Sequence, residues 1–507
     1  MRRALVLVLL AVLGVSGCTA VVPGTAEPGK IEVKGPKGPV PAGLEAFYGQ
    51  ALVWRDCKAL GRSAAAKASF GRRGTECAMV EVPLDYAEPG ARAISLGVLR
   101  VRASGEHGRI GSLVINPGGP GQSGMVAAAM LSSRLSDSPL RQSFDLVGFD
   151  PRGVGISEPR ITCLTSAEQE AVRQVDASTV ELREAQAADF AGKCAERTGT
   201  RELANIGTRD VARDMDVLRS ALGDDQLTYL GYSYGTRLGT AYAEAFPRNV
   251  RAMVLDGAVD PEASLVDGVV LQYKAFDAAL DRYLDWCTDQ CAVSTRDDLK
   301  QLVDDLRQDP VDVGGRRVLP EDVITAIVAA LYSEDAWPVL ESALDALSAG
   351  DATEVMGLSD TYQGRGQDGE YDGASTALTA IRCVDDPPVR DRARLAPVVD
   401  QVKGTFLAYA QPPLPSLDAC AFWPVPNTST PHKPNTPGLV TPVVISTTGD
   451  PATPYQAGVQ LAEDLGGVLV SFQGNQHTAY LQGDPCVDQV GDDYLIQAKV
   501  PTTWLTC

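Results

Sequence analysis

A Gly-x-Ser-x-Gly pentapeptide and a supply of only three histidines frame the chemistry open to this chain. A serine hydroxyl is a poor nucleophile at neutral pH. It needs a base to take its proton, an acid to orient that base, and donors for the oxyanion. Gly231-Tyr232-Ser233-Tyr234-Gly235 follows the apolar run Leu227 to Leu230 and precedes a helical pattern from Arg237 to Phe246. A sharp strand-to-helix turn there exposes Ser233 Oγ. With 49 glycines in the chain the pentapeptide alone says little, and its position carries the reading. His107 sits in a hairpin-like Ser-Gly-Glu-His-Gly turn and His432 in a Pro-rich stretch. Only His477 follows an apolar run (Val468 to Phe472), so it is the candidate base. Asp450 ends the run Pro442 to Ser446 through a Thr-Thr-Gly turn, leaving room for one helix and one strand before His477. It is the candidate acid; Asp256, at the end of the run Val250 to Leu255, is the competing carboxylate. Two backbone amides are expected to hold the oxyanion. One is Tyr234, after the nucleophile; the other is Gly119, in the loop Asn116-Pro117-Gly118-Gly119-Pro120-Gly121, whose prolines have no N–H. A phosphate-loop reading of those glycines fails for want of Gly-Lys-Ser/Thr.

These residues all follow short, continuous apolar runs, which suit strands buried on both faces of a parallel sheet. Helical spacing alternates with the runs, as in Val211, Met215, Leu218 and Leu222. The alternation predicts an open α/β sheet, with ligands beyond the carboxyl ends of its strands. Val80 to Val82 and Ile94 to Val101 read as an opening antiparallel pair. Residues 257–435 break the rhythm: the segment is acidic, helical in pattern and Pro-rich at its end. It is expected to be a helical cap inserted into a core formed by 44–256 and 436–507. Residues around 158–205 read as a smaller helical excursion.

The chain has 507 residues, 44% hydrophobic and 22% charged, which is ordinary globular composition. A net charge of −20 repels phosphate backbones and argues against nucleic-acid binding. A histidine-built zinc site is poorly supplied, and neither metal nor cofactor is expected. Met1-Arg2-Arg3 and the apolar run Ala4 to Val15 fit a signal peptide over 1–17. Val15-Ser16-Gly17-Cys18 resembles the bacterial lipobox, with Cys18 as the lipidated residue. Residues 18–43, rich in Pro and Gly, read as a tether whose Lys30, Lys34 and Lys37 could face lipid headgroups or simply water. Of 11 cysteines, ten remain after Cys18, an even set for disulfides in an exported chain. Connectivity is not encoded in the spacing; pairing of sequence neighbours is the simplest arrangement.

The Gly-Gly-Pro-Gly loop, Asp150-x-Arg152-Gly153-x-Gly155-x-Ser157, Gly231-x-Ser233-x-Gly235, Gly449-Asp450 and His477 together resemble the proline-iminopeptidase-like serine peptidases of the α/β-hydrolase fold. The chain order Ser, Asp, His is the one expected of that fold. The likeness is greatest to the tripeptidyl aminopeptidase group of actinobacteria, which includes secreted and lipoprotein members. It extends from about residue 45 to 507 and includes Ile381-Arg382-Cys383-Val384-Asp385 and Cys507. One departure is Pro117, where related iminopeptidases have histidine; it leaves the hole intact and puts proline-type selectivity in doubt. The resemblance implies a lipid-anchored, exported serine exopeptidase acting on peptides with free N-termini. An aminopeptidase must hold a cationic amine, and Asp385 and Asp386 are the candidates. The rivals are a lipase or esterase on the same scaffold, and a non-catalytic envelope lipoprotein.

Overall fold

The computed structural model describes residues 29–105, 108–136, 138–175, 177–287 and 291–507. The expected signal peptide, Cys18 and the first part of the tether lie outside the described residues, as does His107.

Nine strands form the central sheet: β1 (Thr75–Pro83), β2 (Ala93–Val101), β3 (Gly111–Asn116), β4 (Phe144–Phe149), β5 (Leu227–Tyr232), β6 (Val250–Asp256), β7 (Val443–Thr447), β8 (Val468–Phe472) and β9 (Leu505–Thr506). Their order is β1-β2-β4-β3-β5-β6-β7-β8-β9. The β1/β2 and β2/β4 pairs are antiparallel and the others parallel. The central strands have no polar face because side chains alternate between two cores. Val114, Val147, Tyr229, Met253 and Val444 point into one core. Leu113, Leu146, Leu230, Val254 and Ile445 point into the other. The helices used below are α1 (Gly124–Arg134), α2 (Thr208–Leu222), α3 (Tyr234–Ala245), α4 (Leu265–Trp286), α5 (Pro320–Leu331), α6 (Ala374–Asp385), α7 (Tyr455–Leu465) and α8 (Pro485–Gln497).

Between β6 and β7 the described elements are helices, apart from a minimal hairpin, Asp312–Val313 with Arg316–Arg317, and residues 423–442 run without helix or strand. These helices build a third core around Phe276, Tyr283, Ile327 and Leu340. Residues of the Asp150 motif act as a lock beneath the sheet edge. Arg152 is fully buried against Asp214, 2.6 Å away, and Ser157 Oγ donates to the Asp150 carbonyl. No helix among the described residues is long and apolar enough to cross a membrane.

The described end of the expected tether is not loose. Lys30–Glu32 pairs antiparallel with Leu52–Trp54, and the Lys37 amide donates to Ser220 Oγ at 2.8 Å. Glu32 bonds Arg100 at 3.0 Å and Arg102 at 2.8 Å. Burial opposes ionisation of Glu32, but the two arginines outweigh it and hold the carboxyl well below its usual range. Lys30 and Lys34 pair with Glu32 at 3.1 and 3.2 Å, and Lys37 with Asp225 at 3.7 Å. The tether expectation overlooked Glu32 as a partner for arginines distant in sequence.

All ten cysteines form sequence-neighbour disulfides: Cys57–Cys77, Cys163–Cys194, Cys287–Cys291, Cys383–Cys420 and Cys486–Cys507. Digestion without reductant, read by mass spectrometry, should return these five linkages and no crossed pair. Replacing Cys383 and Cys420 by serine is expected to cost about 2–5 kcal/mol in chemical unfolding.

Candidate active site

Ser233 is the single residue between β5 and α3. It stands at φ 55° and ψ −125°, a region that a non-glycine residue occupies at a cost of about 1–3 kcal/mol. Its amide donates to the Asp256 carbonyl at 2.8 Å. Its own carbonyl accepts from the Thr236 amide at 2.8 Å and the Thr236 hydroxyl at 2.7 Å.

Asp450 follows β7 and is 3% exposed. Its Oδ1 accepts from the Ala452 and Thr453 amides, each at 2.8 Å. Its Oδ2 accepts from Thr453 Oγ1 at 3.0 Å and lies 2.9 Å from His477 Nδ1. These donors orient the carboxylate on the imidazole. His477 lies in the loop after β8, where its amide donates to the Tyr332 carbonyl at 2.9 Å. The Tyr332 ring stands edge-on to the imidazole at 5.3 Å. Burial pulls the His477 pKa down, but the charge and hydrogen bond of Asp450 outweigh it and raise the pKa above 6.5. His477 Nε2 is buried and takes no hydrogen bond from the described residues. The bond to Ser233 Oγ is therefore not formed in this state, and such contacts often tighten only around substrate. His432 is elsewhere, 3.0 Å from Glu244.

The loop after β3 packs against the serine turn. A Cβ on Gly118, at φ +98°, would come within 2.8 Å of Ser233 Cβ and 3.1 Å of the Tyr234 nitrogen, so glycine is required there. The Gly118 amide is already taken by Asn116 Oδ1 at 3.0 Å. The Gly119 amide finds no acceptor among the described residues. Tyr234 opens α3, where a helical N–H has no intrahelical acceptor.

Asp385 and Asp386 end α6 beside the start of α3, but their oxygens are spent within the protein. Asp385 accepts from the Thr208 amide at 2.8 Å and from the Thr208 hydroxyl. That hydroxyl also meets Tyr234 OH. Asp386 binds Arg237 through two bonds, at 2.7 and 3.0 Å. An incoming ammonium would have to compete with those partners, so free carboxylates for an amine are not what the structure offers here. The rival acid Asp256 bonds neither imidazole nitrogen; its Oδ2 accepts from the Ala479 and Tyr480 amides at 2.9 and 2.8 Å.

Helices of the 257–435 segment touch both the acid and base loops. Arg282 donates to the Gly449 carbonyl at 2.8 Å, Gln272 to the Ala452 carbonyl at 2.9 Å, and Asn475 to Glu334 at 2.5 Å. A cavity of about 450 Å³ opens among these helices, lined by Val269, Tyr273, Ile324, Val328, Tyr362 and Val399. The Tyr362 ring lies 6.0 Å from Tyr332, which in turn faces His477. Thr453 and Tyr332 were not singled out from sequence. Asp450-x-x-Thr453 has the spacing for a side chain to bond a backbone amide nearby, which was a usable signal; the role of Tyr332 depends on tertiary packing.

Comparison with known proteins gives two family matches: residues 111–314 to the alpha/beta hydrolase fold and residues 409–507 to TAP-like protein. The serine protease Hip1 of Mycobacterium tuberculosis is 41% identical over 489 residues, 91% of this chain and 92% of that protein. Carboxylesterase B of the same species is 41% identical over 452 residues, 86% of each chain. Tripeptidyl aminopeptidase of Streptomyces lividans is 31% identical over 464 residues, 85% of this chain and 83% of that protein.

A base must be neutral to accept a proton, so a raised His477 pKa moves the loss of reactivity to higher pH. Fluorophosphonate labelling of the chain should rise with pH through a midpoint above 6.5. Asp450→Asn should lower the labelling rate by about 10⁴-fold.

Proposed function

The chain belongs to the α/β-hydrolase family, and from that premise we propose that it is an exported serine peptidase cleaving peptide bonds near free N-termini. The observation that carries the reading is the bond of Asp450 to His477 on loops flanking a serine held at positive φ. Ser233 Oγ attacks the scissile carbonyl carbon while His477 Nε2 takes its proton. Asp450 holds the Nδ1–H tautomer and stabilises the imidazolium. The carbonyl π pair moves onto oxygen, where the Gly119 and Tyr234 amides receive it. Collapse breaks the C–N bond, His477 returns the proton to the leaving amine, and an acyl-serine remains. Water, deprotonated by His477, then releases the acyl peptide and restores Ser233.

The residues 257–435 act in this reading as a cap that limits access. With Asp385 and Asp386 engaged by Thr208 and Arg237, an amine-binding role for them requires displacement of those partners. The disulfides fit export, and Ser16-Gly17-Cys18 supports a lipid anchor at the outer face of the membrane. An esterase is the second reading. The carboxylesterase relative favours it.

Ser233→Ala should abolish fluorophosphonate labelling; retained labelling would overturn the assignment. Peptide amides with free N-termini should be cleaved and their N-acetylated counterparts spared, whereas preference for p-nitrophenyl esters with inert amides would select the esterase. Cys18→Ser should move the protein from the detergent to the aqueous phase on Triton X-114 partition, and unchanged partition would remove the anchor.

A further inference from the structure

Asp256 has no part in the mechanism above, yet it touches both halves of the site. It ends β6, in register with Tyr232 of β5 on one side and Ile445 of β7 on the other. Its main-chain carbonyl holds the Ser233 amide at 2.8 Å. Its side-chain Oδ2 holds the Ala479 and Tyr480 amides at 2.9 and 2.8 Å, two and three residues beyond His477. Two non-glycine residues near the chemistry have positive φ, Ser233 at 55° and Thr478 at 67°. Such conformations persist only where surrounding contacts over-determine them. Asp256 supplies one such contact to each: its backbone to Ser233, and its carboxylate to the amide that follows Thr478. The next residue tightens the arrangement. Gly257 lies at φ +67°, and a Cβ there would approach His477 Cε1 to 3.0 Å.

We propose that Asp256 is a positioning residue that fixes the nucleophile relative to the base through both its backbone carbonyl and its buried carboxylate. The inference rests on the Ser233–His477 reading given above.

A plain loop clamp would need only the two amide bonds. Asp256 offers more: its carboxyl group is fully buried, and Oδ1 takes no hydrogen bond from the described residues. The groups interacting with it are His477 and Asp450 on the base and acid loops, the Tyr480 and Ala479 amides, and Tyr232 on β5. Arg134 of α1 and Asp488 of α8 act on Tyr232 from farther out. Burial, only partly offset by the two amides and His477, pushes the carboxyl up to about 7. An ionised Asp256 favours the imidazolium, and its charge contributes to the raised His477 pKa. Removing that charge should let His477 stay neutral to lower pH.

Asp256→Asn keeps an oxygen for the two amides and removes the charge; Asp256→Ala removes both. Turnover of p-nitrophenyl butyrate and the fluorophosphonate labelling rate are followed against pH, with Ser233→Ala as control. The Asn variant should move the rising limb of the profile to lower pH. The Ala variant should lower kcat by about 10²-fold with KM little changed, since the reacting groups are misplaced rather than the binding surface. An Asn profile superimposed on that of the unaltered protein, or an Ala variant with unaltered kcat, overturns the inference. Should the Ala variant not fold, the Asn profile decides alone. Labelling that survives Ser233→Ala overturns the reading of the nucleophile, and this inference with it.

Discussion

A serine held at positive φ is the constraint on which the rest of this architecture depends. The backbone at Ser233 is strained by about 1–3 kcal/mol relative to an ordinary turn. Nothing in the pentapeptide could sustain that alone. β5 is clamped between β3 and β6 by parallel ladders on both sides, with Tyr229 and Leu230 in opposite cores. The chain must therefore leave the sheet at Tyr232 and enter α3 at Tyr234. A two-sided core makes the strand end immovable; the turn then aims the hydroxyl beyond the sheet. Since the neighbouring strands β6, β7 and β8 run parallel to β5, their ends deliver Asp256, Asp450 and His477 to the same edge.

The second dependence is between the helical segment and the catalytic loops. The His477 amide is held by the Tyr332 carbonyl, the Gly449 carbonyl by Arg282, and the Ala452 carbonyl by Gln272. Ala452, two residues after the acid, packs into the helical core. These are contacts to the backbone of the acid and base loops, so the segment is structurally continuous with the site. Tyr332 lies between the two: its ring is 6.0 Å from that of Tyr362, which lines the cavity, and 5.3 Å from the imidazole of His477.

The sheet and the candidates Ser233, Asp450 and His477 were legible because they rest on local signals. A short β-branched run ending in a polar turn is the same signal at β5, β6, β7 and β8, and the candidate nucleophile, acid and base were chosen from those endings. The disulfides followed sequence neighbours. What escaped was set by partners distant along the chain. Asp385 and Asp386 read as free cap carboxylates, but Thr208 lies 177 residues from Asp385 and Arg237 lies 149 residues from Asp386. Glu32 was passed over inside a Pro/Gly-rich stretch, although Arg100, 68 residues away, stacks on Trp54 and binds it. No local pattern announces a carboxylate whose counterion belongs to another element.

The same logic separates the two carboxylates at adjacent strand ends. Asp450 receives two amides and the Thr453 hydroxyl besides His477. Asp256 receives two amides on one oxygen, and its other oxygen is buried without a donor. A carboxylate surrounded by donors is held in one orientation against the imidazole, which is what an orienting acid requires. Asp256 makes no bond to the imidazole and instead holds the two amides of the loop beyond it. Strand position alone makes the two interchangeable candidates. The number of donors around each oxygen tells them apart, and those donors belong to loops that only the folded sheet brings together.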